Sequence, residues 1–110
     1  MITKNIKDFI IGPNVTLKDA MTKISDNYKG IIFVVQNKKL IGVLSDGDIR
    51  RALIRGASLL THVEKIMNVN YIFSVNKDEK KLTKLSKERK TIAIPLVDKN
   101  DHLIGIFFRN

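Results

Sequence analysis

The stretch GVLSDGDIRR, Gly42 to Arg51, decides how the rest of the chain is read. Apolar residues run up to it as a strand (Leu40, Ile41, Val43, Leu44). Ser45 and Asp48 bracket a turn, and Ile49, Ala52 and Leu53 continue at helical spacing. A strand that passes through a small polar turn into a helix gathers unpaired helix N–H groups, a hydroxyl and a carboxylate at one point. All three are able to face a polar ligand. S-x-x-D ahead of an apolar helical stripe is equally a capping box, which stabilises a helix by about 1 kcal/mol with no ligand at all. Both readings stand, because a cap uses only part of a carboxylate's acceptor capacity.

Working back from this corner, Gly12-Pro13-Asn14 ends a short lead-in over residues 4–11. Thr16, with Asp19 three residues on, starts a helix whose apolar stripe is Leu17, Ala20, Met21, Ile24 and Tyr28. Ile31 to Val35 is an all-apolar strand, the kind covered on both faces. Residues 36–39 turn the chain so that Leu40 to Leu44 returns as a hairpin partner.

Working forward, Ile49 to Arg55 is helical and Gly56 suits the position just past a helix end. Residues 57–61 form a loop and His62 to Met67 a helical turn. Tyr71 to Val75 reads as a strand and Lys77 to Arg89 as a helix with Leu82 and Leu85 inward. Thr91 to Val97 and His102 to Phe108 are strands around a turn at Asp98 to Asp101. That order is a repeat: helix, apolar strand, polar turn, then KLIGVL in one half and HLIGIF in the other. Half-domains of this size bury little alone, so the two are expected to pack about a pseudo-twofold axis. The division expected is residues 1–56, a linker at 57–70, and residues 71–110. The second copy stops near the position of Gly47 in the first, without a final helix, and is read as part of something longer.

Composition narrows the classes of function. The 110 residues are one domain's worth of chain, with no cysteine for disulfides, thiol chemistry or thiolate metal sites. No apolar leader opens the sequence and no run is long enough to cross a bilayer, so a cytoplasmic, membrane-free protein is expected. Net charge is +9, but lysine is spread along the whole chain, as on a solvated surface. Residues 77–90 carry seven Lys or Arg against three acids without exposed aromatics beside them, and nucleic acid is not the expected partner. Asp46 and Asp48 lack further ligands for a metal, His62 and His102 read as surface residues, and no nucleophile–base or paired-carboxylate set is apparent. Catalysis by these residues is not expected.

Two helix–strand–strand repeats, each with an LIG strand, and G-x-x-[ST]-x-x-D at Gly42, Ser45 and Asp48 resemble a pair of cystathionine β-synthase (CBS) domains. GVLSDGDIRRALIRG followed by VEKIMN looks like the CBS region at the N-terminus of sugar-phosphate nucleotidyltransferases, and secondarily that of sugar-phosphate isomerases. The resemblance implies an α/β tandem pair of β-α-β-β-α repeats, the second truncated before its last helix. It implies a regulatory module that binds an adenosine nucleotide (AMP, ADP or ATP) without a metal and reports to a catalytic domain beyond Asn110. Asp48 would accept hydrogen bonds from ribose hydroxyls and Ser45 would contact ribose or phosphate, with Gly42 and Leu44 on the strand below. The base would lie against Ile72 to Ser74 and Ile92, Ile94 and Pro95 of the other repeat. Arg50 and Arg51 are candidate phosphate contacts. Phe108 stands where the second copy would need its hydroxyl, which leaves at most one intact site. A homodimer through the helices at 16–28 and 48–55 is implied, and the rival reading is a dimerisation module that has lost its ligand.

Overall fold

A computed structural model describes residues 1–110. The chain divides into two compact units, Lys7–Tyr71 and Met1–Ile6 with Ile72–Asn110. Each is an α/β unit around its own three-stranded sheet.

In the first unit, Ile10–Ile11 (β2) pairs parallel to Ile31–Gln36 (β3), which pairs antiparallel to Lys39–Ser45 (β4). Helix α1 spans Leu17–Asn27 and helix α2 spans Asp46–Ile54. The hairpin between β3 and β4 turns on Asn37 and Lys38, both at positive φ (52° and 68°), the two-residue turn whose twist matches paired strands. Leu17, Ala20 and Ile24 from α1 meet Ile32, Val34, Leu44 and Ile49 in one buried cluster. These are stripe and strand residues that the sequence periodicity selects, but Met21 and Tyr28, expected in the same buried stripe, are exposed, Tyr28 because it ends α1 in a left-handed conformation.

Residues 57–70 are not a linker. Val63 is completely buried in the same cluster, on a short 3-10 turn at Val63–Lys65. The backbone explains why the segment stays. The first N–H groups of α1, which no helix can satisfy for itself, donate to its carbonyls: Leu17 to Thr61 at 2.8 Å and Lys18 to Leu59 at 3.0 Å. Asn68 then exchanges two backbone bonds with Val43 along the edge of β4.

The second unit repeats the plan with another segment at its edge. Ala93–Val97 (β5) pairs antiparallel to Leu103–Phe108 (β6), and Glu79–Glu88 (α3) covers them through Leu82, buried with Ile94, Leu96 and Phe107. The free edge of β6 is taken by Ile2–Thr3 (β1), antiparallel, with Ile2 packed on the cluster. Residues 1–6 therefore group with the second repeat rather than the first. An exposed row of strand N–H and C=O groups needs a partner, and sequence spacing does not say which segment supplies it. The LIG glycines now have a reason. A Cβ on Gly42 would collide with the Met67 side chain, and one on Gly105 would stand 3.2 Å from the Thr3 carbonyl oxygen. In both repeats the glycine lets the edge-covering segment lie close.

Other boundaries shift for local reasons. Tyr71 to Val75 does not form a strand; only Ser74 bridges Leu96, and its hydroxyl closes a turn onto Asn76. Helix α3 starts at Glu79 instead of Lys77 because Asp78 caps it, accepting from the Lys80 N–H at 3.0 Å. Helix α2 starts at Asp46, three residues before the first apolar position. The turn before β6 is held by Asp98, whose Oδ1 accepts from the N–H of Asn100 at 2.8 Å and of His102 at 3.0 Å. Burial pushes the Asp98 carboxyl up, but those two bonds and the His102 and Lys99 charges outweigh it and hold it below its ordinary value. No helix is long and apolar enough to cross a membrane.

Candidate functional site

Ser45 ends β4 in an extended conformation (φ −108°, ψ 167°) and caps α2. Its Oγ accepts from the Asp48 N–H at 3.2 Å, and Asp48 Oδ2 accepts from the Ser45 N–H at 3.0 Å, which completes a capping box. The Ser45 hydroxyl also donates to Asp48 Oδ2 at 3.0 Å. The other oxygen, Oδ1, accepts from Arg51 Nη2 at 2.9 Å. A carboxylate offers about four acceptor positions, so three are already taken. Bidentate capture of a ribose diol on Oδ1 requires Arg51 to leave. The departure is cheap, because the pair is an exposed i,i+3 contact worth about 0.3–0.5 kcal/mol.

Gly47 makes room for this arginine. A Cβ there would lie 3.1 Å from Arg51 Nη1, so the guanidinium folds back across the bare glycine to reach Asp48. Beyond it opens a cavity of about 350 Å³ lined by Asp48, Arg51, Ala52, Arg55, Ala57, Lys65 and Ile66. Asp48, Arg51, Ala52 and Arg55 share one face of α2 by their i, i+3, i+4, i+7 spacing. The opposite wall exists because Gly56, at φ +109°, reverses the chain and Ala57 bonds back to the Ala52 carbonyl at 2.9 Å. Arg55 and Lys65 were not among the residues that the sequence singled out. The spacing from Asp48 would have found Arg55, whereas Lys65 arrives through a turn that only the fold defines.

The remaining sequence candidates have the following surroundings within their own units. Arg50 points away from Asp48, into a groove of about 750 Å³ between α1 and α2 whose walls include Met21, Tyr28, Asp46, Leu53 and Ile54. Asp46 is held there by its N–H, which donates to the Gly30 carbonyl at 3.0 Å, so Asp46 and Asp48 face different cavities. Leu44 is a core residue and Gly42 lies beneath Met67. In the second unit, Ile94 is fully buried in the core and Ile72 packs against it. Ser74 keeps its hydroxyl in the turn with Asn76, Pro95 is buried, and Ile92 is exposed. No cluster of three or more His, Asp or Glu side chains is arranged to hold a metal.

Residues 2–55 match the CBS-domain family. An uncharacterized protein of Helicobacter pylori is 34% identical over 100 residues, which cover 88% of this chain and 30% of that protein. Arabinose 5-phosphate isomerase GutQ of Escherichia coli is 34% identical over 92 residues, 82% of this chain and 29% of the enzyme. Among solved structures, a CBS-domain pair in complex with 5′-methylthioadenosine and S-adenosylmethionine superposes with a TM-score of 0.79 at 18% identity. That alignment covers 97% of this chain and 87% of the other. The chain spans about 30% of the length of the curated relatives it matches.

Proposed function

We propose, from the premise that residues 2–55 are a CBS domain and that the chain has the fold of a CBS-domain pair, that it is a non-catalytic module sensing an adenosine nucleotide at the Ser45–Asp48 corner. The observation that carries this reading is the Asp48 carboxylate. It caps α2 and also lines a cavity, and the arginine on its outer oxygen is a weak, displaceable partner. A carboxylate that accepts only, at the mouth of a pocket, suits a diol donor such as ribose. A chain of the same fold was solved with two adenosine derivatives, which supports the choice of nucleoside.

The larger protein that such a module serves is, in this reading, a sugar-phosphate isomerase. The named relatives are arabinose 5-phosphate isomerases of about three times the span, and none of them supports the nucleotidyltransferase expected from the sequence. A second reading, dimerisation, rests on a specific feature. The groove between α1 and α2 leaves Tyr28 91% and Ile54 78% exposed, and a second copy of the chain fits that need. Sedimentation at high micromolar concentration is expected to give a dimer, and a monomer there removes this part.

The sensing reading is tested by thermal unfolding with AMP, ADP and ATP. A ligand bound only by the folded state at 100 times its Kd adds about 2.7 kcal/mol. A rise in melting temperature with at least one of them is expected. No rise at millimolar concentration leaves Ser45 and Asp48 as a helix cap alone.

A further inference from the structure

Helix α3 carries a row of lysines that its own unit does not balance. Residues 77–90 hold seven Lys or Arg against three acids, and the fold sorts them onto sides. Leu82 and Ser86, one turn apart, are buried against the core. Lys80, Lys84 and Lys87 lie on the far side of the helix and are exposed. Their i, i+4, i+7 spacing keeps them in one row over two turns, about 10 Å long.

The three acids leave that row largely unmatched. Asp78 is spent on the helix start, where its Oδ1 accepts from the Lys80 N–H at 3.0 Å. Glu79 pairs with the N-terminal ammonium of Met1 at 3.0 Å. Glu88 makes only a loose 4.0 Å contact with Lys84, whose side chain stays 81% exposed. Lys80 and Lys87 have no ion-pair partner. Like charges three and four residues apart destabilise a helix, so the row costs α3 stability that its packing must recover. The direction of the row is fixed by that packing: Leu82 is locked in the core, and the Ser86 hydroxyl donates to the Thr83 carbonyl at 2.8 Å.

We propose that Lys80, Lys84 and Lys87 dock an acidic helix of a partner protein, one with Glu or Asp at the same i, i+4, i+7 spacing. Rows of opposite charge on neighbouring helices set partner choice and orientation. The chemistry of α3 favours this occupant over the other polyanions. Residues 79–88 include no aromatic and no arginine, so α3 lacks the stacking platforms and planar forks that hold RNA. No apolar side chain stands in the row to enter a bilayer. A second copy of the chain offers no matching acids. Asp19 and Asp26 of α1 have Lys23 between them, and Asp46 and Asp48 of α2 are followed by Arg50 and Arg51. The proposal is independent of the nucleotide reading, because α3 and the Ser45–Asp48 corner belong to different units.

Fluorescence anisotropy tests it, at about 50 mM salt where surface charge is little screened. The probes are a helical peptide with Glu repeated at the i, i+4, i+7 spacing and a scrambled peptide of the same composition. A Lys80→Gln/Lys84→Gln/Lys87→Gln variant is compared with Lys7→Gln/Lys18→Gln/Lys39→Gln, which removes the same charge from exposed positions of the first unit. Melting temperatures of both variants serve as the control for folding. The wild type is expected to bind the ordered peptide at least about 10-fold more tightly than the scrambled one, and the α3 variant to lose at least about 10-fold. The first-unit variant should stay within about 3-fold of wild type. Equal binding of the two peptides, or equal losses in the two variants, reduces the effect to net charge and overturns the proposal. Duplex RNA or phosphatidylglycerol vesicles bound more tightly than the peptide through the same three lysines overturn the acidic helix in favour of that polyanion. No binding of the ordered peptide by the wild type overturns it as well.

Discussion

The first unit contains two capping boxes of the same pattern, and they differ in everything beyond the cap. Thr16 and Asp19 open α1, with both reciprocal bonds at 3.3 Å, and the carboxylate bonds nothing besides the Thr16 N–H. Ser45 and Asp48 open α2 with bonds of 3.2 and 3.0 Å, and there the carboxylate also takes the Ser45 hydroxyl and the Arg51 guanidinium. Asp48 of the second also lines a cavity. The same local grammar therefore serves a helix start in one place and, with an arginine one turn on and Lys65 opposite, the proposed site in the other. What distinguishes them is the surroundings brought by residues 51–66, not the motif.

The sharpest way to break this contrast is to remove each carboxylate. Asp48→Ala is expected to weaken nucleotide binding by roughly 1.5–3 kcal/mol, about 10- to 150-fold, by titration calorimetry, while Asp19→Ala leaves it unchanged. Equal effects would make the two boxes equivalent. Removing the hydroxyls tests the shared part: Ser45→Ala and Thr16→Ala should each cost about 1 kcal/mol in urea unfolding, irrespective of ligand.

Gly47→Ala sharpens the role of Arg51. The methyl group crowds the flexible guanidinium end, so the Arg51–Asp48 pair weakens, and the helix gains about 0.5–1 kcal/mol from losing its glycine. A small net rise in stability is expected, by the same unfolding measurement. A large loss would mean that the arginine pair matters far more to α2 than its exposure implies.

The smallest effect expected lies in the other unit, at the Asp98 turn. Asp98 titrates below its ordinary value in the folded chain, so its contribution is fully present above about pH 4, the unfolded value, and disappears as pH falls through the lower folded value. Acid unfolding followed by circular dichroism should show Asp98→Asn less sensitive than wild type below pH 4. Identical acid limbs would remove Asp98 from the account of that turn.

Much of this was legible in the chain. The stripe Leu17, Ala20, Ile24 and the apolar run from Ile31 gave α1 and β3, and the repeated LIG marked two equivalent hairpins. Local chemistry also revealed both capping boxes, because each uses residues three apart. What escaped reading was set by distant partners. The edge of β6 takes residues 2–3 and the edge of β4 takes Asn68, pairings that involve no periodicity of their own. Lys65 reaches the cavity only because Val63 is pulled into the core, and Arg50 turns from it because consecutive helical residues diverge by about 100°.

The central claim is that the Ser45–Asp48 box differs from the Thr16–Asp19 box by binding a nucleotide. Its most direct test is the ligand-induced rise in melting temperature of Asp48→Gln beside that of Asp19→Gln. Glutamine at the third helical position still caps but loses the charge and half of the acceptor geometry. Both variants are expected to melt near the wild type without ligand; with ADP, Asp19→Gln should keep the full rise and Asp48→Gln should lose it. A rise retained by Asp48→Gln, or absent from the wild type, would contradict the account.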